Sequence, residues 1–223
     1  MAQPLKKNNL KTIEIMTKLI TTFVFFLATV FATHAQQYEQ GMGNALTTWK
    51  EGKATEATAL FERIASVEKN NWLPNYYVAL VNTTESFNPA NSKTAAAMLN
   101  KAQEALDNAT LISPNNVEIM VMQAMINTAW IVQDPMTNGM KLSAPTIALY
   151  EKAIALDPNN PRAVFGKAEF EIGGAKYWGT DTKPMCEQVA KSIALFAKFK
   201  PENEFSPKWG LDRAQQTLKE CGK

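Results

Sequence analysis

The feature that most constrains this chain is a turn that recurs four times at nearly constant spacing. Lys69-Asn70-Asn71, Pro114-Asn115-Asn116, Pro158-Asn159-Asn160 and Pro201-Glu202-Asn203 each follow a stretch with helical periodicity. The intervals between their first residues are 45, 44 and 43 positions. Self-similarity at such a period marks a stack of supersecondary units, none of which can bury its apolar face alone. Proline ends the helix before it, because it offers no N–H, and suits the first turn of the next one, as Pro161 does.

Two further positions keep register with the turns. A large apolar residue sits eight places before each: Phe61, Leu106, Tyr150 and Ile193. An alanine sits ten places after the first three: Ala79, Ala124 and Ala168. Small residues allow two helices to approach, and large ones fill the space between pairs. No stretch alternates at period two, so no sheet is expected. The expected helices are 38–50, 53–68, 71–86, 93–112, 115–132, 143–156, 160–173, 185–199 and 205–220. Breaks rich in glycine, proline and polar residues are expected at 86–92, 133–142 and 173–184.

These residues resemble the tetratricopeptide repeat family. The match is densest around Tyr150, Ala153, Ile154, Pro158 and Ala168 and extends over most of residues 40–221. The chain is similar to exported bacterial members of unknown role. The resemblance implies an all-α, right-handed stack of antiparallel helix pairs, a tetratricopeptide-like solenoid. Its repeats are about ten residues longer than the family's period of about 34. It also implies a concave groove for a protein or peptide partner, lined by the first helix of each pair. That places Tyr76 and Leu80, then Glu118, Val121 and Met125, then Arg162, Phe165 and Glu169 in the groove. At helical spacing, Val121, Met125 and Phe165 read first as core and only second as groove. Tyr177 and Trp178, in a glycine-bearing stretch, are a second candidate contact, or an aromatic cap on the stack.

The N-terminus has a different character. Residues 19–32 read LITTFVFFLATVFA, preceded by Lys18 and followed by Thr33-His34-Ala35. A spanning helix needs about 20 apolar residues, and this run has 14. A charged start, a short apolar middle and small residues at the end describe a secretory signal cleaved between Ala35 and Gln36. Met16 is an alternative start, and an uncleaved signal anchor is the competing reading. The expected organisation is a leader over 1–35 and one helical repeat domain over 36–223, exported to the periplasm or secreted.

Charge and chemistry then exclude several function classes. Setting aside four lysines and one acid of residues 1–35 from the 23 basic and 21 acidic residues leaves 19 against 20. A nearly neutral chain offers no electrostatic footprint for nucleic acid or for an anionic membrane surface. His34 is the one histidine, and it falls in the leader. Histidine-based nucleophilic catalysis and histidine zinc sites are therefore not expected after cleavage, and no cofactor or metal is expected either. A hydrolase using carboxylates alone, with Glu169, Glu171 or Asp181, stays open as the least favoured reading.

Cys186 and Cys221 are the two cysteines. Helices 185–199 and 205–220, folded back about Pro201, would bring them together at the open end of a hairpin. A disulfide is expected in an oxidising compartment, and two free buried thiols are the alternative. The functional expectation is an exported, non-enzymatic interaction module. The alternative is a self-associating structural component of the envelope.

Overall fold

The computed structural model describes residues 36–222. The leader assigned to residues 1–35 lies outside them. All regular structure among the described residues is helical. In chain order it runs α1 (residues 36–50), α2 (Ala54–Val67), α3 (Leu73–Ser86), α4 (Ala95–Ile112), α5 (Val117–Gln133), α6 (Pro135–Leu156), α7 (Pro161–Trp178), α8 (Lys183–Phe196) and α9 (Leu211–Cys221). A single 3-10 turn, Pro89–Asn91, separates α3 from α4.

The recurring turns act as helix starts. The third residue of each, an asparagine, accepts backbone N–H groups that the opening turn leaves unpaired. Asn71 Oδ1 takes Leu73 N–H at 3.0 Å, and Asn116 Oδ1 takes Glu118 N–H at 2.9 Å. Asn160 Oδ1 takes both Arg162 and Ala163 N–H at 3.0 Å. Asn203 does the same for Phe205 at 3.0 Å, yet no helix follows at once. Pro207 removes a donor and holds Ser206 away from helical geometry, so α9 waits until Gly210, at φ 108°. The expected helix over 205–220 is therefore shorter at its start, and 197–210 crosses the fold without helix.

The packing is by adjacent pairs. α3 lies on α4, α5 on α6, and α7 on α8, while α3 touches α5 and α5 touches α7 across the pairs. Ala79, Ala124 and Ala168 are buried where helices approach, as the register requires. Phe61, Leu106 and Tyr150 are buried beside them, each such side chain contributing roughly 1.5–3 kcal/mol. Gly166 in α7 has a specific reason: a Cβ there would lie 2.6 Å from the Tyr150 ring.

Two expected breaks are shorter than expected, one reduced to Asp134 and the other to residues 179–182. Residues 135–142 open α6, because Asp134 Oδ1 accepts Thr137 N–H at 3.1 Å and Pro135 sits at the first helical position. Residues 173–178 continue α7 through Gly173 and Gly174 to Gly179, whose left-handed φ of 68° closes the helix. The extra length of each repeat thus goes largely into longer helices. Among the described residues, no helix is long and apolar enough to cross a membrane.

Candidate functional site

The inner face of the stack is built by α3, α5 and α7, which contribute the residues the sequence assigned to a groove. Tyr76, Leu80, Val121, Arg162 and Phe165 are all buried, and Glu118, Met125 and Glu169 are half-buried. The structure brings Glu118 and Arg162 into direct contact across α5 and α7. Arg162 donates from Nε and Nη2 to the two carboxylate oxygens, each at 2.6 Å. Asn160 Nδ2 adds a third donor to Glu118 Oε1 at 2.7 Å. Burial opposes the charge on Arg162, but the paired Glu118 carboxylate outweighs it and holds the guanidinium above its ordinary range. Phe165 is instead core with Val189 and Ala214, and Glu169 bonds Arg213 and Thr217 of α9.

This face is covered by the chain's own residues 197–210, which form a strap from α8 to α9. The Tyr77 hydroxyl donates to the Phe205 carbonyl at 2.8 Å. Trp209 Nε1 donates to the Tyr76 hydroxyl at 2.8 Å. Arg162 lies over the Phe199 ring, 4.4 Å from its centroid, and Phe205 meets Tyr38 edge-to-face at 5.6 Å. Gly210 passes so near Phe196 that a Cβ would lie 2.9 Å from the ring. Burial pushes the Tyr76 and Tyr77 phenols well above their ordinary range, so both act here as neutral hydrogen-bonding groups. Arg162 Nη1 is buried and has no hydrogen-bond partner. Sequence reasoning found Tyr76 and Arg162 but not their cover. Trp209 packs against both the cluster built by α1 to α5 and the one built by α5 to α7.

A second group of exposed apolar side chains lies about the α5–α6 turn and at the end of α7. Val132 ends α5 there, Met136 and Met140 open α6, and Tyr177 and Trp178 close α7. All five side chains are exposed, Trp178 by 77% and Met140 by 86%. The Tyr177 and Trp178 rings meet edge-to-face at 4.9 Å. They stand on the last turn of a helix rather than in the loop that was expected. Met136 and Met140, four residues apart, share one face of α6.

The other candidates are plainer. A cleft of about 470 Å³ between α2, α3 and α4 is lined by groups of both charges and is flanked by the exposed Glu62–Lys101 pair. The three carboxylates weighed for hydrolysis are engaged locally: Glu169 with Arg213, Glu171 with Lys167 at 2.7 Å, and Asp181 with the Lys183 N–H at 2.9 Å. Among the described residues, no group of three or more His, Cys, Asp or Glu side chains could hold a metal ion. Cys186 and Cys221 are joined in a disulfide that ties α8 to α9 and encloses the strap.

No protein-family profile matches this chain, and no curated protein matches it. Among solved structures, the HusA haemophore from Porphyromonas gingivalis shares the fold. The two superpose with a TM-score of 0.72 over 82% of this chain and 92% of that one, at 24% sequence identity.

Proposed function

We propose that this chain is an exported, non-catalytic binding protein that takes its ligand on the apolar end formed by α5, α6 and α7. The observation that carries this reading is the exposure of Val132, Met136 and Met140 about the α5–α6 turn and of Tyr177 and Trp178 at the end of α7, in a molecule whose inner face is filled. Exposed apolar residues grouped in this way mark a contact surface. The ligand class we infer is a flat, apolar, aromatic molecule, and a haem-like porphyrin is the first example to try, since the solved structure of similar fold is a haemophore.

The residues present fit such a cargo with one restriction. No histidine lies among the described residues, and both cysteines are bonded to each other. An iron ligand from this end would therefore be the Tyr177 phenol or a Met136 or Met140 thioether, both known types of axial donor. The disulfide supports an oxidising compartment, periplasmic or extracellular. We read the paired helices as a right-handed, tetratricopeptide-like solenoid with lengthened repeats.

The test is a titration of residues 36–223 with haem and, separately, with metal-free protoporphyrin, followed by absorbance. Both porphyrins should bind. Tyr177→Ala with Trp178→Ala removes two aromatic contacts of about 1 kcal/mol each and should weaken both about 30-fold. Failure of either porphyrin to bind the wild type would refute the ligand class. Unchanged affinity in the double variant would refute the site. Size measurement in the same samples separates ligand capture from self-association through this end, which is the alternative use of the surface.

A further inference from the structure

The strap touches the inner face in the way a bound peptide touches its receptor. Phe205, Ser206 and Pro207 are buried, and Phe199 and Trp209 half-buried, but Lys200, Pro201, Glu202, Asn203, Glu204 and Lys208 face solvent. Its polar anchors are few: one backbone carbonyl held by Tyr77 and one indole N–H held by Tyr76. Aromatic side chains seated in a groove, with the backbone fixed at isolated points, are how extended peptides are recognised. Pro201 and Pro207 keep the segment from competing as a helix.

The strap also leaves the face incompletely satisfied. Arg162 is 1% exposed, pairs with Glu118 through Nε and Nη2, and has Nη1 unpartnered beneath the strap. A buried donor without an acceptor is a standing penalty. A ligand that supplied an oxygen there would hold the face better than residues 199–209 do.

We propose that the face formed by α3, α5 and α7 is a peptide-docking groove and that residues 199–209 are its resident occupant. Its external partner is an extended segment bearing a phenylalanine and a tryptophan four residues apart, with an oxygen acceptor for Arg162. Opening is a local event, because the strap is irregular chain between two helices, and such segments open more readily than the packed pairs. The disulfide keeps α9 beside α8 while the strap lifts. This inference rests on the inner face and not on the apolar end, so a failed porphyrin titration leaves it standing.

The probe is a labelled synthetic peptide of residues 197–210, offered to residues 36–223 of the wild type and of Phe205→Ala with Trp209→Ala. A tethered occupant acts at an effective concentration on the order of 1 mM, so a peptide of about 10 μM intrinsic affinity should bind the double variant roughly 100-fold more tightly than the wild type. The same peptide with both aromatics replaced by alanine should not bind. Trp209→Phe keeps the ring and removes the indole N–H; it should fall between the two proteins and guards against a double variant that does not fold. Circular dichroism and intact mass establish that each variant keeps its helices and its disulfide. A folded double variant that ignores the peptide, or a Trp209→Phe protein that binds it no better than wild type does, overturns the proposal.

Discussion

Removing Glu118 should be among the most damaging single changes this protein can suffer. The Arg162 side chain has no solvent exposure, and that of Glu118 is 12% exposed. Two short, parallel hydrogen bonds join them, the geometry in which a guanidinium and a carboxylate bind most strongly. In Glu118→Ala the guanidinium keeps its charge, held above its ordinary range in the native state, but loses both acceptors in a place water does not reach. Breaking a buried pair from one side costs about 3–5 kcal/mol. For a domain of this size, each kcal/mol moves the midpoint by about 2–4 °C, so Tm should fall by roughly 10 °C. The replacement of both partners, Glu118→Leu with Arg162→Met, should cost less than the single change, since no uncompensated charge stays behind. Urea unfolding followed by far-UV circular dichroism gives both numbers. A loss below about 1 kcal/mol in Glu118→Ala would mean that Arg162 reaches solvent, and the seal attributed to the strap would be refuted.

Reduction of Cys186–Cys221, or Cys221→Ser, opens a loop of 35 residues and should cost about 4 kcal/mol in the chain-entropy model. Alkylation in denaturant should add two labels after reduction and none before it. Gly166→Ala should destabilise by roughly 1–3 kcal/mol despite alanine's better helix propensity, because three atoms of the buried Tyr150 ring lie within 3 Å of the new methyl; an unchanged or raised Tm would show that the ring can move aside. Stability should fall above about pH 10, the ordinary tyrosine pKa. Burial raises the folded-state pKa of Tyr76, Tyr77 and Tyr150, so their contribution is full below the unfolded value and is lost as pH climbs toward the folded ones. With three phenols the slope would approach about 4 kcal/mol per pH unit. Isothermal urea curves at pH 9, 10 and 11 would reveal it, and a flat profile would contradict the burial of these hydroxyls.

The repeating frame was legible because its signals are local and redundant. A capping asparagine, an alanine where helices touch and a large residue eight places before the turn recur in step, and the structure uses them at the expected places in the first three copies. The misread breaks were of one kind. Residues 133–142 contain Pro135 and Gly139, and residues 173–184 contain Gly173, Gly174 and Gly179, which read as punctuation when composition is counted. What decides is position. Pro135 stands at a helix start beneath the Asp134 cap, where its missing N–H has no consequence. Gly173 and Gly174 stand in a helix interior, and only Gly179 adopts the left-handed backbone that ends one.

The site was less legible because it depends on contacts between residues distant in the chain, Tyr76 and Trp209 by 133 positions. Tyr76 and Arg162 follow from the repeat, and their burial does not, since it requires Trp209 and Phe199 to return across α3 and α7. The fourth turn held the clue. Asn203 caps as its three counterparts do, but Pro207 and Gly210 follow where a helix should be gaining hydrogen bonds. A repeat that begins its helix late must spend the intervening residues somewhere. In a stack whose inner face carries two tyrosines and an arginine, a segment with Phe199, Phe205 and Trp209 finds its lowest free energy across that face. Irregular aromatic chain at the end of a helical repeat is therefore better read as an occupant of the preceding pairs than as a cap on the last one. Here that reading turns three exposed-groove expectations, Tyr76, Arg162 and Glu118, into one covered network whose opening can be measured.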